Sequence, residues 1–292
     1  MASCGKLIAL VICAQAKRAP TIDIGRGVAL PMVALGTGSG QHGPVANATR
    51  LWLQNSSGVG VDTSLDYKDE WAVAAGVAAS NVGRADVFLE TKITVGRPVL
   101  KIIEAILQLR TSYVDLLLIH YPGTKAANAE AWAALEVALR LNRTRAIGVS
   151  NFSPSQLDAL RETATVWPPA VNQLELSVSY HDDAALAYNK KRGIVVQAYS
   201  PLCGGFNGSS CTARGGKNVL SLPEVQAVAQ RYGVSPAQIA LRWIVQQGYP
   251  LATAVWAQQY MLEDLDLWSF SLDIAAMQLL SDVYKSGSRA IA

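Results

Sequence analysis

From residue 21 onward, short apolar runs rich in β-branched residues alternate with longer segments whose apolar residues recur every three or four positions. The first pattern is typical of buried β-strands and the second of amphipathic helices. The runs predict eight strands, at Met32–Gly36, Gly60–Thr63, Val87–Thr91, Val114–His120, Ala146–Val149, Ala170–Gln173, Ile194–Tyr199 and Ala252–Val255. The segments between them predict helices at Val45–Gln54, Glu70–Ala79, Pro98–Leu109, Ala129–Leu141, Pro154–Thr163, Asp182–Lys191 and Ser235–Gln247.

Eight strands that alternate with helices favour a parallel sheet covered by helices, in the α/β class. A closed (β/α)8 TIM barrel is the simplest arrangement, and a doubly wound open sheet is the alternative. The glycine-rich fingerprint of a dinucleotide-binding open sheet is incomplete, because Gly36-Thr37-Gly38-Ser39-Gly40 is not followed by the expected helix and acidic residue. The length of 292 residues suits one barrel domain over residues 21–292.

Residues 1–20 differ from the rest of the chain. Lys6 precedes the apolar run Leu7–Cys13, and Ala14-Gln15-Ala16 is typical of a signal-peptidase site. The run is too short to span a bilayer. The segment predicts a secretory signal peptide, with an organelle-targeting peptide or a disordered leader as alternatives. The protein is therefore expected in the secretory pathway if the leader is a signal, and otherwise in the cytoplasm.

Two further features bear on that choice. Cys203 and Cys211 would remain after cleavage and could form a disulfide in a glycine-rich loop, or stay as free thiols in a reducing cytosol. Five Asn-X-Ser/Thr sequons begin at Asn47, Asn55, Asn142, Asn151 and Asn207. They permit glycosylation without requiring it. The formal charge of +3 includes no basic block, so nothing in the composition indicates a nucleic-acid partner.

Polar residues stand where the predicted strands end. In a parallel barrel these ends meet at one face, which is where active sites form. Tyr67 lies five residues beyond the first of them, in the loop that leaves the second strand. The strand-end residues are Asp62, Thr63, Lys92, His120, Ser150, Asn151, Gln173, Tyr199 and Ser200.

Four of these residues suit proton transfer. A tyrosine is ordinarily a weak acid with a pKa of about 10. We expect the Lys92 ammonium to lower the pKa of Tyr67, and Asp62 to hold that ammonium in place. His120 could donate a hydrogen bond to a carbonyl oxygen and orient a substrate. Each residue taken alone could equally be structural.

Such a group cannot deliver hydride, so it needs a cofactor. Ser150, Asn151 and Gln173 could hold a nicotinamide carboxamide, and Tyr199 could stack on the ring. A metal site is not expected, because His42 and His181 lack ligand spacing with His120. A serine hydrolase is not expected either, since the chain has no Gly-X-Ser-X-Gly elbow. Asp115 is interpreted as a capping or loop-pairing residue.

Several long motifs in order resemble those of the aldo-keto reductases over nearly all of residues 21–292. They are GVALPMVALGTG, VDTSLDYKDE, VFLETKI, YVDLLLIHYP, AIGVSNFSPSQL, AVNQLEL, GIVVQAYSPL and VSPAQIALRW. The resemblance implies a (β/α)8 barrel, usually monomeric, that reduces aldehydes and ketones with NADPH or NADH.

The resemblance also implies roles for individual residues. The catalytic Asp, Tyr, Lys and His fall on Asp62, Tyr67, Lys92 and His120. Tyr67, His120 and Tyr121 would contact a small carbonyl substrate. The cofactor contacts would be Thr37, Asp62, Ser150, Asn151, Gln173, Tyr199, Ser200, Leu202, Glu263 and Asp264.

Two segments depart from the family pattern. Ala254 and Tyr260 stand where a Lys and an Arg usually hold the adenosine 2′-phosphate, and a tyrosine cannot replace the charged fork of an arginine. We therefore expect weaker preference for NADPH, use of NADH, or poor cofactor affinity. Tyr121 replaces a common Trp, and Ser39 and Gly40 occupy a region that is often aromatic. The alternative function is a non-catalytic binding or regulatory barrel with weakened cofactor affinity.

Overall fold

The computed structural model describes residues 20–38, 44–55, 57–203 and 217–289. Eight parallel strands, β3 to β10, close into a barrel in the order β10-β3-β4-β5-β6-β7-β8-β9, so β10 pairs with both β9 and β3. The predicted (β/α)8 architecture is confirmed. The strands are β3 Val33–Gly36, β4 Gly60–Asp62, β5 Phe88–Ile93, β6 Val114–Ile119, β7 Thr144–Ser150, β8 Val171–Glu175, β9 Val195–Tyr199 and β10 Leu251–Thr253.

Ten helices lie within the described residues. They are α1 Val45–Gln54, α2 Glu70–Ser80, α3 Pro98–Gln108, α4 Lys125–Arg140, α5 Pro154–Arg161, α6 Asp183–Lys191, α7 Pro223–Tyr232, α8 Pro236–Gln246, α9 Gln258–Leu265 and α10 Ile274–Arg289. Short 3-10 helices cover Leu65–Tyr67, Arg84–Asp86 and Val219–Ser221. None of the helices in these ranges combines the length and the apolar character needed to span a membrane.

Local chemistry explains how some helices begin. Ser153 and Gln156 form a reciprocal capping box at the start of α5, and Ser235 and Gln238 form another at the start of α8. Both helices then carry proline at the first helical position, where a missing N–H costs no hydrogen bond.

The alternation along each strand divides the core into two clusters. On β6, Leu116 and Leu118 point into the barrel, whereas Leu117 and Ile119 pack outward against the helices. Because both faces are buried, β6 is apolar throughout its centre.

An antiparallel hairpin, β1 Thr21–Asp23 and β2 Ala29–Pro31, precedes the barrel. Its turn contains Gly25, Arg26 and Gly27, all with positive φ. Its apolar residues Ile24, Val28 and Leu30 join the cluster inside the barrel. The hairpin therefore closes the end of the barrel at which the strands begin.

Asp115 stabilises that closed end. Its buried carboxylate accepts hydrogen bonds from Arg84 at 2.8 Å, from Arg145 at 2.9 Å and from the backbone N–H of Leu89 at 3.0 Å. The prediction of a loop-pairing role agrees with these contacts, which leave the opposite end of β6 for the site.

Candidate functional site

The carboxyl ends of β4 and β5 bring Asp62 and Lys92 together. The Lys92 ammonium is fully buried and lies 2.5 Å from Asp62 Oδ1 and 3.0 Å from the backbone oxygen of Thr63. Burial disfavours the ammonium, but the neighbouring Asp62, Tyr67 and Glu90 outweigh this effect and raise the pKa of Lys92. Lys92 is therefore a fixed cation beneath the rim of the barrel.

Tyr67 lies at the end of the 3-10 helix that follows β4, with its ring centroid 5.2 Å from the Lys92 ammonium. Burial raises the pKa of Tyr67 to about 12, and Lys92 opposes that rise. The expectation of a lowered pKa is wrong in its net direction, although Lys92 acts in the expected sense. Desolvation of the phenol exceeds the attraction of the ammonium, so Tyr67 is protonated at neutral pH.

His120 follows the last residue of β6 and is buried beside Tyr67. Its ring meets the Tyr67 ring edge-on at 5.5 Å and stacks on the Tyr121 ring at 4.2 Å. Its Nδ1 lies 2.8 Å from Asp66 Oδ2 and 3.0 Å from Ser64 Oγ. Tyr121 is half exposed, so it forms a solvent-facing wall over the histidine.

A second group of predicted residues lies at the ends of β7, β8 and β9. Asn151 donates to the backbone oxygen of His120 and to Ser150 Oγ, each at 3.0 Å, and accepts a hydrogen bond from the Tyr199 hydroxyl at 2.8 Å. Ser150 Oγ donates to the backbone oxygen of Gln173 at 2.9 Å. These contacts connect the amide-bearing side chains to the backbone beside His120.

The Gln173 side chain points deeper into the barrel. Its amide nitrogen lies 2.9 Å from both Glu90 and Gln197 and 3.4 Å from Asp62. Gln197 in turn donates to Glu90 at 2.8 Å. We call Asp62, Glu90, Gln173 and Gln197 the interior polar layer, and the strand register supports it by pairing Asp62 with Glu90 and Gln173 with Gln197.

Glu90 was not among the predicted site residues. Burial raises its pKa to about 8, and the neighbouring Asp62 adds to the rise. The available signal was spacing: Glu90 and Lys92 are two positions apart on one strand, so they share a face. Asp66 and Ser64 were also missed, although both stand between Asp62 and Tyr67 in the same loop.

Gly38 was also missed, and it lies against the phenol of Tyr67. A Cβ added at Gly38 would lie 2.3 Å from Tyr67 Cζ and 2.7 Å from its hydroxyl oxygen. Such distances are far below van der Waals contact, so only glycine allows this loop and the ring to keep their positions. Gly36, two residues earlier, has room for a methyl group at 3.6 Å.

The predicted adenosine end has a different character. Ala254 and Tyr260 face solvent, and no lysine or arginine occurs from Leu251 to Asp273. Asp264 is buried and accepts a hydrogen bond from Thr253 Oγ1 at 3.0 Å, and burial raises its pKa to about 7. Glu263 is only partly buried on the same helix, α9.

Other predicted residues line the same face. The backbone N–H of Thr37 donates to the backbone oxygen of Asp62 at 3.0 Å. Ser200 has a left-handed backbone and Leu202 packs against the core.

Cys203 is disulfide-bonded. Ser39, Gly40, Cys211 and the leader lie outside the described residues. Within the described ranges, no three His, Cys, Asp or Glu side chains are grouped as metal ligands.

Known proteins resemble this chain in sequence and in fold. The model of the Aldo/keto reductase family matches residues 59–285. Morphine 6-dehydrogenase from Pseudomonas putida is 33% identical over 277 residues, which cover 92% of this chain and 93% of that protein. A crystal structure of an aldo/keto reductase from Brucella melitensis has a TM-score of 0.81 and 28% identity, covering 91% of this chain and 99% of that one. An aldo-keto reductase from Bombyx mori, solved in complex with NADP, has the same TM-score and identity, with coverages of 92% and 94%.

Proposed function

The chain belongs to the aldo-keto reductase family, and we propose that it is an NAD(P)H-dependent reductase of aldehydes or ketones in which Tyr67 donates the proton. The observation that carries this proposal is the buried Lys92 ammonium, 2.5 Å from Asp62 and 5.2 Å from the Tyr67 ring centroid. A fixed cation beside a phenol stabilises the phenolate that forms when the proton leaves.

The rim residues fit a nicotinamide. The Ser150 hydroxyl and the Asn151 amide provide donors and acceptors for a carboxamide, with Gln173 directly beneath them, and the half-buried Tyr199 ring offers a flat surface. A bound reduced nicotinamide would supply hydride to the carbonyl carbon. The side chains of the protein are left with three tasks: holding the carbonyl, supplying its proton and stabilising the charge that remains.

Tyr67 is suited to the reductive direction. Because its pKa is raised to about 12, the phenol carries its proton throughout the neutral range. Oxidation of an alcohol by the same group would need the phenolate, which is scarce at neutral pH. The Lys92 ammonium, paired with the Asp62 carboxylate, lies beside the phenol. His120 and Tyr121 would face the substrate.

The adenosine end supports NADH rather than NADPH as the better cofactor. A 2′-phosphate is usually held by a cation, and Ala254 and Tyr260 carry no charge. The surrounding segment contains Glu263 and Asp266, whose negative charge would oppose a phosphate. NADH lacks that phosphate, so it loses nothing from these replacements.

The direct test is a titration of the purified chain with NADH and with NADPH, followed by nicotinamide fluorescence, and then an assay with a series of aldehydes and ketones. We expect both cofactors to bind, NADH more tightly, and carbonyl reduction to follow. Binding without reduction of any carbonyl would support the non-catalytic alternative. A hundredfold preference for NADPH, about 2.7 kcal/mol, would contradict the assignment of the adenosine end.

A further inference from the structure

The hydrogen bonds at His120 Nδ1 determine where the ring carries its proton. Asp66 Oδ2 is 2.8 Å away, and the Asp66 side chain is 39% exposed. An ionised carboxylate only accepts hydrogen bonds. Imidazole is ordinarily the stronger base, with a pKa of about 6.5 against about 3.9 for aspartic acid. The shared proton therefore belongs to Nδ1.

Ser64 supports the same assignment. Its hydroxyl oxygen lies 3.0 Å from His120 Nδ1 and 3.3 Å from the backbone oxygen of Lys92. A carbonyl oxygen can only accept, so the single Ser64 proton is directed to Lys92 and the lone pair faces Nδ1. Both neighbours of Nδ1 are then acceptors, which leaves a protonated Nδ1 as the consistent arrangement.

We infer that Asp66 is a positioning residue that keeps the proton of neutral His120 on Nδ1, so that Nε2 can donate to a substrate oxygen only when the ring is a cation. A neutral imidazole has one N–H, and here it is already used. Among the described residues, none hydrogen-bonds His120 Nε2. This inference rests on the proposed function for its catalytic consequence but not for the tautomer.

The consequence is a dependence of the reaction on pH. A carbonyl oxygen needs a hydrogen-bond donor, and Nε2 of His120 carries a proton only in the cationic ring. Cationic His120 therefore favours reduction. An alcohol can donate to the bare Nε2 of the neutral ring, so the oxidative direction accepts the neutral form. The carbonyl reduction rate should therefore fall as the ring loses its second proton.

The charged and titratable groups facing His120 come from β4, the loop after it, β5 and the residue that follows His120. Lys92 lies on β5, Asp62 ends β4, Asp66 and Tyr67 belong to the loop after β4, and Tyr121 stacks on the ring. Burial and Lys92 lower the pKa of His120, whereas Asp66 and Asp62 raise it. The net effect lowers the pKa of His120 below that of an ordinary imidazole. The rate of carbonyl reduction should therefore fall as the pH rises through the acidic range.

The tautomer can be measured without any cofactor or substrate. The full chain labelled with 15N-histidine has three imidazoles, and a His120→Gln variant identifies the signals of His120. Above the pKa of the ring we expect a protonated-type shift for Nδ1 and an unprotonated-type shift for Nε2. The reverse pattern in the parent protein would overturn the inference whatever its enzymatic activity.

Asp66→Leu tests the cause. Leucine cannot accept the Nδ1 proton, and the Ser64 hydroxyl can then rotate to donate to Nδ1. We therefore expect the His120 proton to move to Nε2. In the parent, kcat/KM for carbonyl reduction should fall tenfold per pH unit above the His120 pKa, and this limb should be absent in Asp66→Leu. If Asp66→Leu kept both the parental tautomer and the parental limb, Asp66 would not be the positioning residue.

Asp183→Leu is the matched control. Asp183 Oδ1 contacts Nδ1 of His181 at 2.7 Å, and neither residue belongs to the group of Asp62, Tyr67, Lys92 and His120. We expect this variant to change the His181 signals and leave the His120 signals and the pH profile unaltered. A change at His120 in both variants would contradict a local effect of Asp66.

Discussion

Two parts of the barrel rim, which we call the catalytic end and the adenosine end, differ in whether their polar side chains are buried and paired. At the end formed by β4, β5 and β6, Asp62, Lys92 and His120 are buried and paired. At the end formed by β10 and α9, Ala254 and Tyr260 face solvent, and Asp264 is turned inward to Thr253. The proposed chemistry and the proposed recognition of adenosine therefore occupy separate segments, and each can change without disturbing the other.

This separation explains how one end of the site keeps the family pattern while the other departs from it. A change at Asp62 or Lys92 would leave a buried charge without its partner, which is strongly destabilising. A change at Ala254 or Tyr260 alters an exposed position and leaves the barrel core intact. Substitutions at the two ends should consequently have different consequences, both in size and in kind.

The largest effect is expected at Tyr67. Tyr67→Phe removes the proposed proton donor while keeping the ring, so kcat for carbonyl reduction should fall by about 10²–10⁴-fold. Cofactor binding, followed by nicotinamide fluorescence, should change little. Tyr113→Phe, at the closed end of the barrel, is the matched control and should retain activity. Full activity in Tyr67→Phe would remove this residue from the acid role.

Gly38→Ala should also lower the rate of carbonyl reduction, because its side chain would collide with the Tyr67 ring. The added methyl group would force the Tyr67 ring or the loop to move, and a displacement of about 1 Å can cost about 100-fold in rate. The control is Gly36→Ala, whose methyl group fits at 3.6 Å. Steady-state kinetics of the two variants should separate them clearly, and equal losses would show that the loop, not Tyr67, is affected.

At the adenosine end, a restored cation should change affinity and not chemistry. A charge-assisted hydrogen bond contributes about 1.5–3 kcal/mol, so Tyr260→Arg should tighten NADPH binding by about tenfold or more. NADH affinity and kcat should stay close to parental values. Tyr260→Gln supplies a polar side chain without charge and serves as the control. Equal tightening for both cofactors would mean that the arginine does not reach a 2′-phosphate.

The last prediction concerns the stability of the fold and the interior polar layer, and no effect on the chemistry is needed to test it. The pKa of Glu90 is raised from 4.5 to about 8, so its contribution to stability is complete below pH 4.5 and is lost as pH rises to 8. The slope is at most about 1.4 kcal/mol per pH unit. Glu90→Gln should remove this slope in urea unfolding experiments, measured from pH 5 to 8. Glu130→Gln, on the exposed face of α4, should keep it.

Much of the barrel could be predicted from the sequence, because its strands are apolar and its helices are amphipathic. Helix α1 has the predicted bounds, and the predicted strands differ from the observed ones by a few residues at their ends. Helices α7, α9 and α10 and the hairpin were missed. The hairpin signal was present in Gly25-Arg26-Gly27, but strands of three residues give little periodicity.

The convergence of Asp62, Lys92 and His120 was predictable because each ends or follows a strand of a parallel barrel. The interior polar layer was predictable only in part. The spacing of Glu90 and Lys92 places them on one face of β5, but a strand buried on both faces does not reveal which face points inward. The raised pKa of Tyr67 could not be predicted from the sequence either. Charge pairs can be inferred from motifs, whereas desolvation depends on how the whole fold covers the phenol.

Gln173 limits how the cofactor preference of this protein can be engineered. Its backbone oxygen receives Ser150, and its side chain holds Glu90 and Gln197 in the middle of the barrel. It is thus both a candidate cofactor contact and a structural member of the interior. A mutant library aimed at new cofactor preference should vary positions 254 and 260 freely but keep position 173 constant, because changes there would combine altered binding with loss of folded protein.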